Sequence, residues 1–153
     1  MSDTTFDPDV FLSTEVEGEL STTYLPVPEG EYVASIDDIK IKSPKGSVIL
    51  EVLWDLQDNE VKEIMSMDKV VVRQSIFLDV EEGTGALSLG ENKNVRLGRL
   101  RENLGQNTPG QPWSFLSLKG AGPVTVTVSQ RPSTKEGEDD VIYNDIIKVT
   151  PLG

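Results

Sequence analysis

The chain predicts a mainly β fold: a five-stranded Greek-key barrel with one helix between the third and fourth strands, preceded by an extended acidic N-terminal arm. Three observations carry this. Five separate runs of apolar residues fit strands, the clearest of them alternating apolar and polar side chains at period two. The one convincing helical spacing falls between the third and fourth runs, and Gly, Pro or Asn clusters stand at most of the junctions. The arm covers residues 1–25 and the barrel domain 26–153.

The first strand, "EYVASIDDIKIK", follows a Pro26/Pro28/Gly30 turn and alternates Tyr32, Ala34 and Ile36 with more polar neighbours. After the turn "SPKGS", the second strand "VILEVLWDL" places Val48, Leu50, Val52 and Trp54 on one face. Residues 59–67 suggest a short helical turn. The third strand, "KVVVRQSIFLDV", spans Lys69 to Val80. If Val70, Val72, Ile76 and Leu78 fill the interior, Arg73, Ser75 and Phe77 project outward together, while Gln74 falls inward without an evident partner. A glycine-rich connection leads to a helix with Asn94 as N-cap, Leu97, Leu100 and Leu104 on one face, and Gly105 past its end. The fourth strand, "PVTVTVSQ", turns Val124, Val126 and Val128 inward, and an acidic loop joins it to the fifth, "VIYNDIIKVT". Five strands with this helix placement are the element order of an OB-fold; other β-barrels and jelly rolls usually need about eight strands.

Composition limits the chemistry. The 153 residues are 37% hydrophobic and 26% charged, enough for one self-sufficient globular core. There is no cysteine and no histidine, so Cys/His metal sites, thiol nucleophiles and imidazole-based triads are excluded. No paired carboxylate forms a preformed dyad, and the glycine-rich connection lacks the Gly-Lys-Ser/Thr ending of a phosphate loop. The expectation is a protein that is not an enzyme and needs no cofactor. The start "MSDTTFDPDV" has neither the basic residues nor the apolar run of a signal peptide, and no window reaches membrane-spanning length. Host cytoplasm is the expected location, with no membrane partner.

The net charge of −12 is unevenly placed. Residues 1–31 hold eight carboxylates and no Lys or Arg, and "EGEDD" (136–140) holds four more, so the rest of the chain is neutral. Such segregation marks either an interaction tail or a solubilising segment. Against this background Lys40, Lys42 and Lys45 form a dense basic patch on the first hairpin, where an OB-fold carries a ligand-binding loop. Single-strand binding requires cations along a backbone track and rings on which bases stack. Arg73 and Phe77, about 13 Å apart along an extended strand, supply one of each. Trp113, Arg131 and Tyr143 complete the candidate nucleic-acid-binding set. The competing reading pairs Arg73 with a carboxylate and packs Phe77 beneath a loop. The helix cations Arg96, Arg99 and Arg101 read more readily as structural.

The runs "PVPEGEYVASI", "LEVLWDL", "RLGRLRENLG", "LKGAGPVTVTV" and "YNDIIKV", together covering about residues 24–150, resemble a family of small tailed-phage proteins. The resemblance implies an OB-fold single-stranded DNA-binding protein of phage replication or recombination. In such proteins an acidic segment recruits replication partners, typically from the C-terminus. Here the chain ends "KVTPLG", and any such role would fall to the N-terminal arm. The alternative is a virion structural protein, a capsid cement or decoration subunit whose arm clamps neighbouring copies or the major capsid protein. Homo-oligomers fit either reading. A carbohydrate-binding barrel lacks the necessary density of exposed aromatics.

Overall fold

In the computed structural model, which describes residues 6–138 and 140–152, the chain forms one five-stranded antiparallel sheet with few helices. Asp3 and Asp139, members of the two acidic clusters, lie outside the described residues. The strands are β1 (Gly30–Lys42), β2 (Val48–Leu56), β3 (Val71–Leu78), β4 (Val124–Pro132) and β5 (Ile142–Pro151), in the sheet order β3-β2-β1-β4-β5. No hydrogen-bonded ladder joins the edge strands β3 and β5 among the described residues, so the sheet is not closed. The helices are α1 (Pro8–Leu12), α2 (Asn59–Met65) and α3 (Val95–Asn103).

β1 is long because it serves two neighbours. Gly30 to Ala34 pair with β4, and Ala34 to Lys42 pair with β2. A bulge between Ile36 and Asp38 divides the strand and reverses its side-chain parity. Ala34 and Ile36 face the core before it; Ile39 and Ile41, opposite Val52 and Leu50, take the inner parity after it. Lys40 and Lys42 are thereby turned to the outer face. At the bulge, Ile36 exchanges backbone hydrogen bonds with Gly120 and Ala121, both at 2.8 Å. Gly122 passes so close that a Cβ would meet the Ala34 carbonyl oxygen at 3.0 Å, which, with its φ of 120°, selects glycine.

The core draws on every strand: Ile36, Leu50, Trp54, Ile76, Val126 and Ile146 are all buried. Leu97 and Leu100 of α3 and Val61 of α2 pack into the same cluster, placing both helices on the inner side of the sheet. The inward polar residue of β3 has a clear role. The indole Nε1–H of Trp54 donates to Gln74 Oε1 at 2.9 Å, so Gln74 satisfies the one polar group of the largest buried side chain.

One local expectation is met and another changes. Residues 59–65 form α2, capped by the Asp58 carboxylate, which accepts from the Val61 N–H at 2.9 Å. Asn94 is not a conventional N-cap: its backbone is left-handed (φ 52°), and its side chain makes no cap bond. Its amide instead donates to the Asp79 and Ser88 carbonyls at 3.0 and 2.8 Å, and its Oδ1 accepts from the Asp79 N–H at 2.7 Å. Asn94 thus ties the start of α3 to the chain leaving β3.

Replacing Gln74 by Leu should orphan the Trp54 indole N–H and cost about 1–3 kcal/mol in denaturant unfolding. In the Trp54→Phe background the same replacement should cost less, because no donor remains to be stranded; equal costs in both backgrounds would contradict the pairing.

Candidate nucleic-acid interface

The sheet curls until its edges β3 and β5 stand on either side of an open cleft of about 1020 Å³. Val71 to Ser75 form one wall and Ile142 to Val149 the other, while α3 contributes Arg96, Arg99 and Asn103. Tyr24, Leu25 and Pro26 complete the rim. Five cations line this space, namely Arg73, Arg96, Arg99, Arg131 and Lys148, with Asp145 as the one carboxylate among the lining residues. In a chain with 26 acidic and 14 basic side chains, that local excess is opposite in sign to the whole.

The cations differ in how they are held. Arg131 lies 2.9 Å from Asp145 and stacks its guanidinium 5.5 Å from the centre of the Tyr143 ring. Hydrogen bonding and charge from Asp145 raise the Arg131 pKa further above its usual value. The Tyr143 hydroxyl donates to the Glu138 carboxylate at 3.1 Å, and the Ser133 hydroxyl reaches the same carboxylate at 2.6 Å. These two bonds, Ser133 first, hold Glu138 below the ordinary glutamate range. Arg96, Arg99 and Lys148 have no ion-pair partner among the described residues.

Arg73 also belongs to a second surface, the outer face of β1, β2 and β3. Strand register places Lys42, Ile49 and Phe77 in one row across this face and Lys40, Glu51 and Ser75 in the next. Glu51 is only 4% exposed, covered by the cations that flank it. Lys42 forms an ion pair with its Oε1, and Arg73 Nε lies 3.0 Å from its Oε2, although that oxygen accepts no aligned hydrogen bond. The Lys42 hydrogen bond is the main cause holding the Glu51 pKa below its ordinary value, with Arg73 and Lys40 adding to it against desolvation. Both halves of the earlier alternative therefore resolve differently: Arg73 does pair with a carboxylate, but Phe77 remains 62% exposed beneath no loop.

Of the expected set, Arg73, Arg131 and Tyr143 come together at the cleft, with Lys40, Lys42 and Phe77 on the adjoining face. Lys45 stands in the β1–β2 turn with a left-handed backbone (φ 50°). Trp113 is elsewhere: half-buried against the core, it stacks on Phe115, receives Arg101 at 4.2 Å over its ring, and donates its Nε1–H to Gln106 at 2.9 Å. Trp113 and Arg101 brace the turn after α3 and offer no open stacking face to the cleft. Arg96 and Arg99, which read as structural in the sequence, line the cleft. Their signal was present in the sequence: both lie off the Leu97–Leu100 face, one helical turn apart.

Among the described residues no group of three or more His, Cys, Asp or Glu side chains is arranged to hold a metal, and no helix is long and apolar enough to cross a membrane. Set against known proteins, the chain matches no protein-family model and no curated protein.

Glu51 supplies a pH-dependent stability increment. Its folded-state pKa is depressed, so the increment is present above the ordinary glutamate range and fades as pH falls through the lower folded value. Glu51→Gln should lose more than the roughly 0.5 kcal/mol of an exposed pair at neutral pH. The gap to wild type in denaturation midpoint should stay constant from about pH 6 to 8 and narrow below about pH 4. A gap that does not change with pH would exclude the charge account.

Proposed function

We propose that this chain binds single-stranded DNA without sequence preference, in the setting of phage replication or recombination. One observation carries the reading: an acidic chain concentrates Arg73, Arg96, Arg99, Arg131 and Lys148 on one cleft, beside two tyrosines and next to the exposed Phe77. Cations along a channel with rings at its margin are the elements that bind a single strand by phosphate contact and base stacking.

The fold reading supports it. The order β3-β2-β1-β4-β5, with α3 between β3 and β4, is compatible with an OB barrel left open between β3 and β5. OB barrels are partly open, and they bind oligonucleotides on the face of the second and third strands and the loops beside it. Arg73 and Phe77 lie on that face, with Lys40 and Lys42 beside it on β1, Lys45 in the first loop, and Arg131 with Tyr143 at the foot of the last. A strand crossing the face from β1 would meet Lys40 and Lys42, then Arg73, and then the cleft. Glu51 holds Lys42 and Arg73 in place beneath it without reaching the surface. The phage setting rests on the sequence resemblance.

A second reading, a virion structural subunit with a clamping arm, draws on the segment before the sheet. Eight large apolar or aromatic side chains between Phe6 and Leu25 remain exposed there.

Fluorescence anisotropy with a labelled oligo-dT and the matching duplex should show preference for the single strand and weakening between about 50 and 200 mM salt. Arg96→Ala and Arg99→Ala should each lower the salt slope by about 0.7, and Phe77→Ala should cost about 1–3 kcal/mol of binding. The unfolding midpoints of these exposed variants should stay near wild type. Equal affinity for duplex, or no binding at low salt, would overturn the reading.

A further inference from the structure

The segment that precedes the sheet has a pattern of its own. From Glu15 to Leu20 the chain reads Glu-Val-Glu-Gly-Glu-Leu; with the present bend at Gly18 (φ 99°) straightened, Glu15, Glu17 and Glu19 would share one side and Val16 and Leu20 the other. This is the alternation of a half-buried strand, yet among the described residues the segment joins no strand ladder, and Val16 and Leu20 are 69% and 77% exposed. None of the three glutamates has an ion-pair partner among the described residues. Sequence patterned for burial on one face and for cations on the other is here left in solvent.

The cleft between β3 and β5 has the complementary pattern. Its walls are two strand edges whose outward backbone groups join no ladder, a standing template for one more extended segment. Arg73, Arg96, Arg99 and Lys148 supply the positive side, and Val71, Ile142 and Ile147 are exposed apolar side chains lining the same space. Five residue steps of extended chain from Glu15 to Leu20 cover about 17 Å, between about 13 Å for the lining stretch Val71–Ser75 and about 23 Å for the opposite wall Ile142–Val149.

We infer that the Glu15–Leu20 segment of one copy occupies the β3–β5 cleft of a second copy, its three glutamates against the cleft cations and Val16 and Leu20 on the apolar wall. A second copy is favoured over the same chain by the way the segment leaves. Tyr24, Leu25 and Pro26 already form the rim of their own cleft, and Ser21 to Thr23 continue along a neighbouring hollow with Asp140 and Ile142. Only Ser21 to Thr23 separate Leu20 from that rim, yet Val16 and Leu20 stay in solvent and do not occupy their own cleft. Reciprocal exchange closes a two-fold dimer, whereas one-way insertion extends a chain of copies.

The test needs no nucleic acid, so its failure and the failure of the strand-binding reading are distinguishable. Size-exclusion chromatography with light scattering on the full chain should give a mass above one copy at low salt, falling toward one copy as salt rises. Charge reversal at the segment (Glu15→Lys, Glu17→Lys, Glu19→Lys) and at the cleft (Arg96→Glu, Arg99→Glu) should each give single copies. Mixing the two variants should restore association, because the second variant keeps an intact segment and the first an intact cleft. A single-copy mass for wild type at every salt concentration overturns the inference. So does association that survives the segment variant, or failure of the mixture to associate. As a check on same-chain insertion, Glu17→Cys with Ser75→Cys should cross-link between chains; a cross-link formed only within chains also overturns it.

Discussion

The bulge between Ile36 and Asp38 governs most of what this sheet can do. Without it, β1 would keep one parity for its whole length, and the second half of the strand would turn Lys40 and Lys42 toward the core and Ile39 and Ile41 toward solvent. The bulge admits one extra residue, reverses the facing, and sharpens the local twist. It also sits where β1 passes from β4 to β2 and where the chain before β4 returns, held by the hydrogen bonds between Ile36 and the 120–121 backbone. One irregularity therefore lets a single strand hold both halves of the sheet and present cations outward beside Glu51.

Curling brings the edges β3 and β5 alongside each other but leaves them unladdered, and this gap is the source of the cleft. An uncovered strand edge is a liability in a soluble domain, since its backbone groups remain available for another chain. Charged residues, here Arg73 and Lys148, limit indiscriminate pairing on such edges and at the same time favour anionic partners. α3 packs Leu97 and Leu100 into the core and turns Arg96 and Arg99 to the opening. Structure and charge thus come from adjoining faces of the same nine-residue helix.

The electrostatics follow from separation. Acidic residues gather before the sheet and in the β4–β5 loop, while the cations that face the cleft come from β3, α3, β4 and β5. At physiological salt, charges separated by more than about 8 Å are largely screened from one another. An overall charge of −12 consequently does not dictate the local field at the cleft. Glu51 is the exception inside the basic surface: a covered carboxylate that organises Lys42 and Arg73.

Much of the architecture is written locally. Period-two alternation identifies β2 over its full span, and β4 nearly so, because each strand keeps one face in the core and side chains simply alternate. Leu97, Leu100 and Gly105 mark α3 for the same kind of reason, a repeat and a stop that neighbours in sequence can express. The outward row Arg73–Ser75–Phe77 was legible from the alternation of β3. What the sequence does not carry is which polar groups meet. Gln74 makes sense only beside Trp54, twenty residues away, and Glu51 only between Lys42 and Arg73, because each contact depends on register across strands. The placement of Trp113 and Arg96 was not legible for a related reason. Whether a ring or a guanidinium faces core or cleft depends on how α3 and its following turn lie against the sheet, and that is decided by packing between distant segments. The sequence by itself determined the strands, the helix and the segregation of charge; the tertiary structure alone decided that the edges stay open and that cations from four elements converge there.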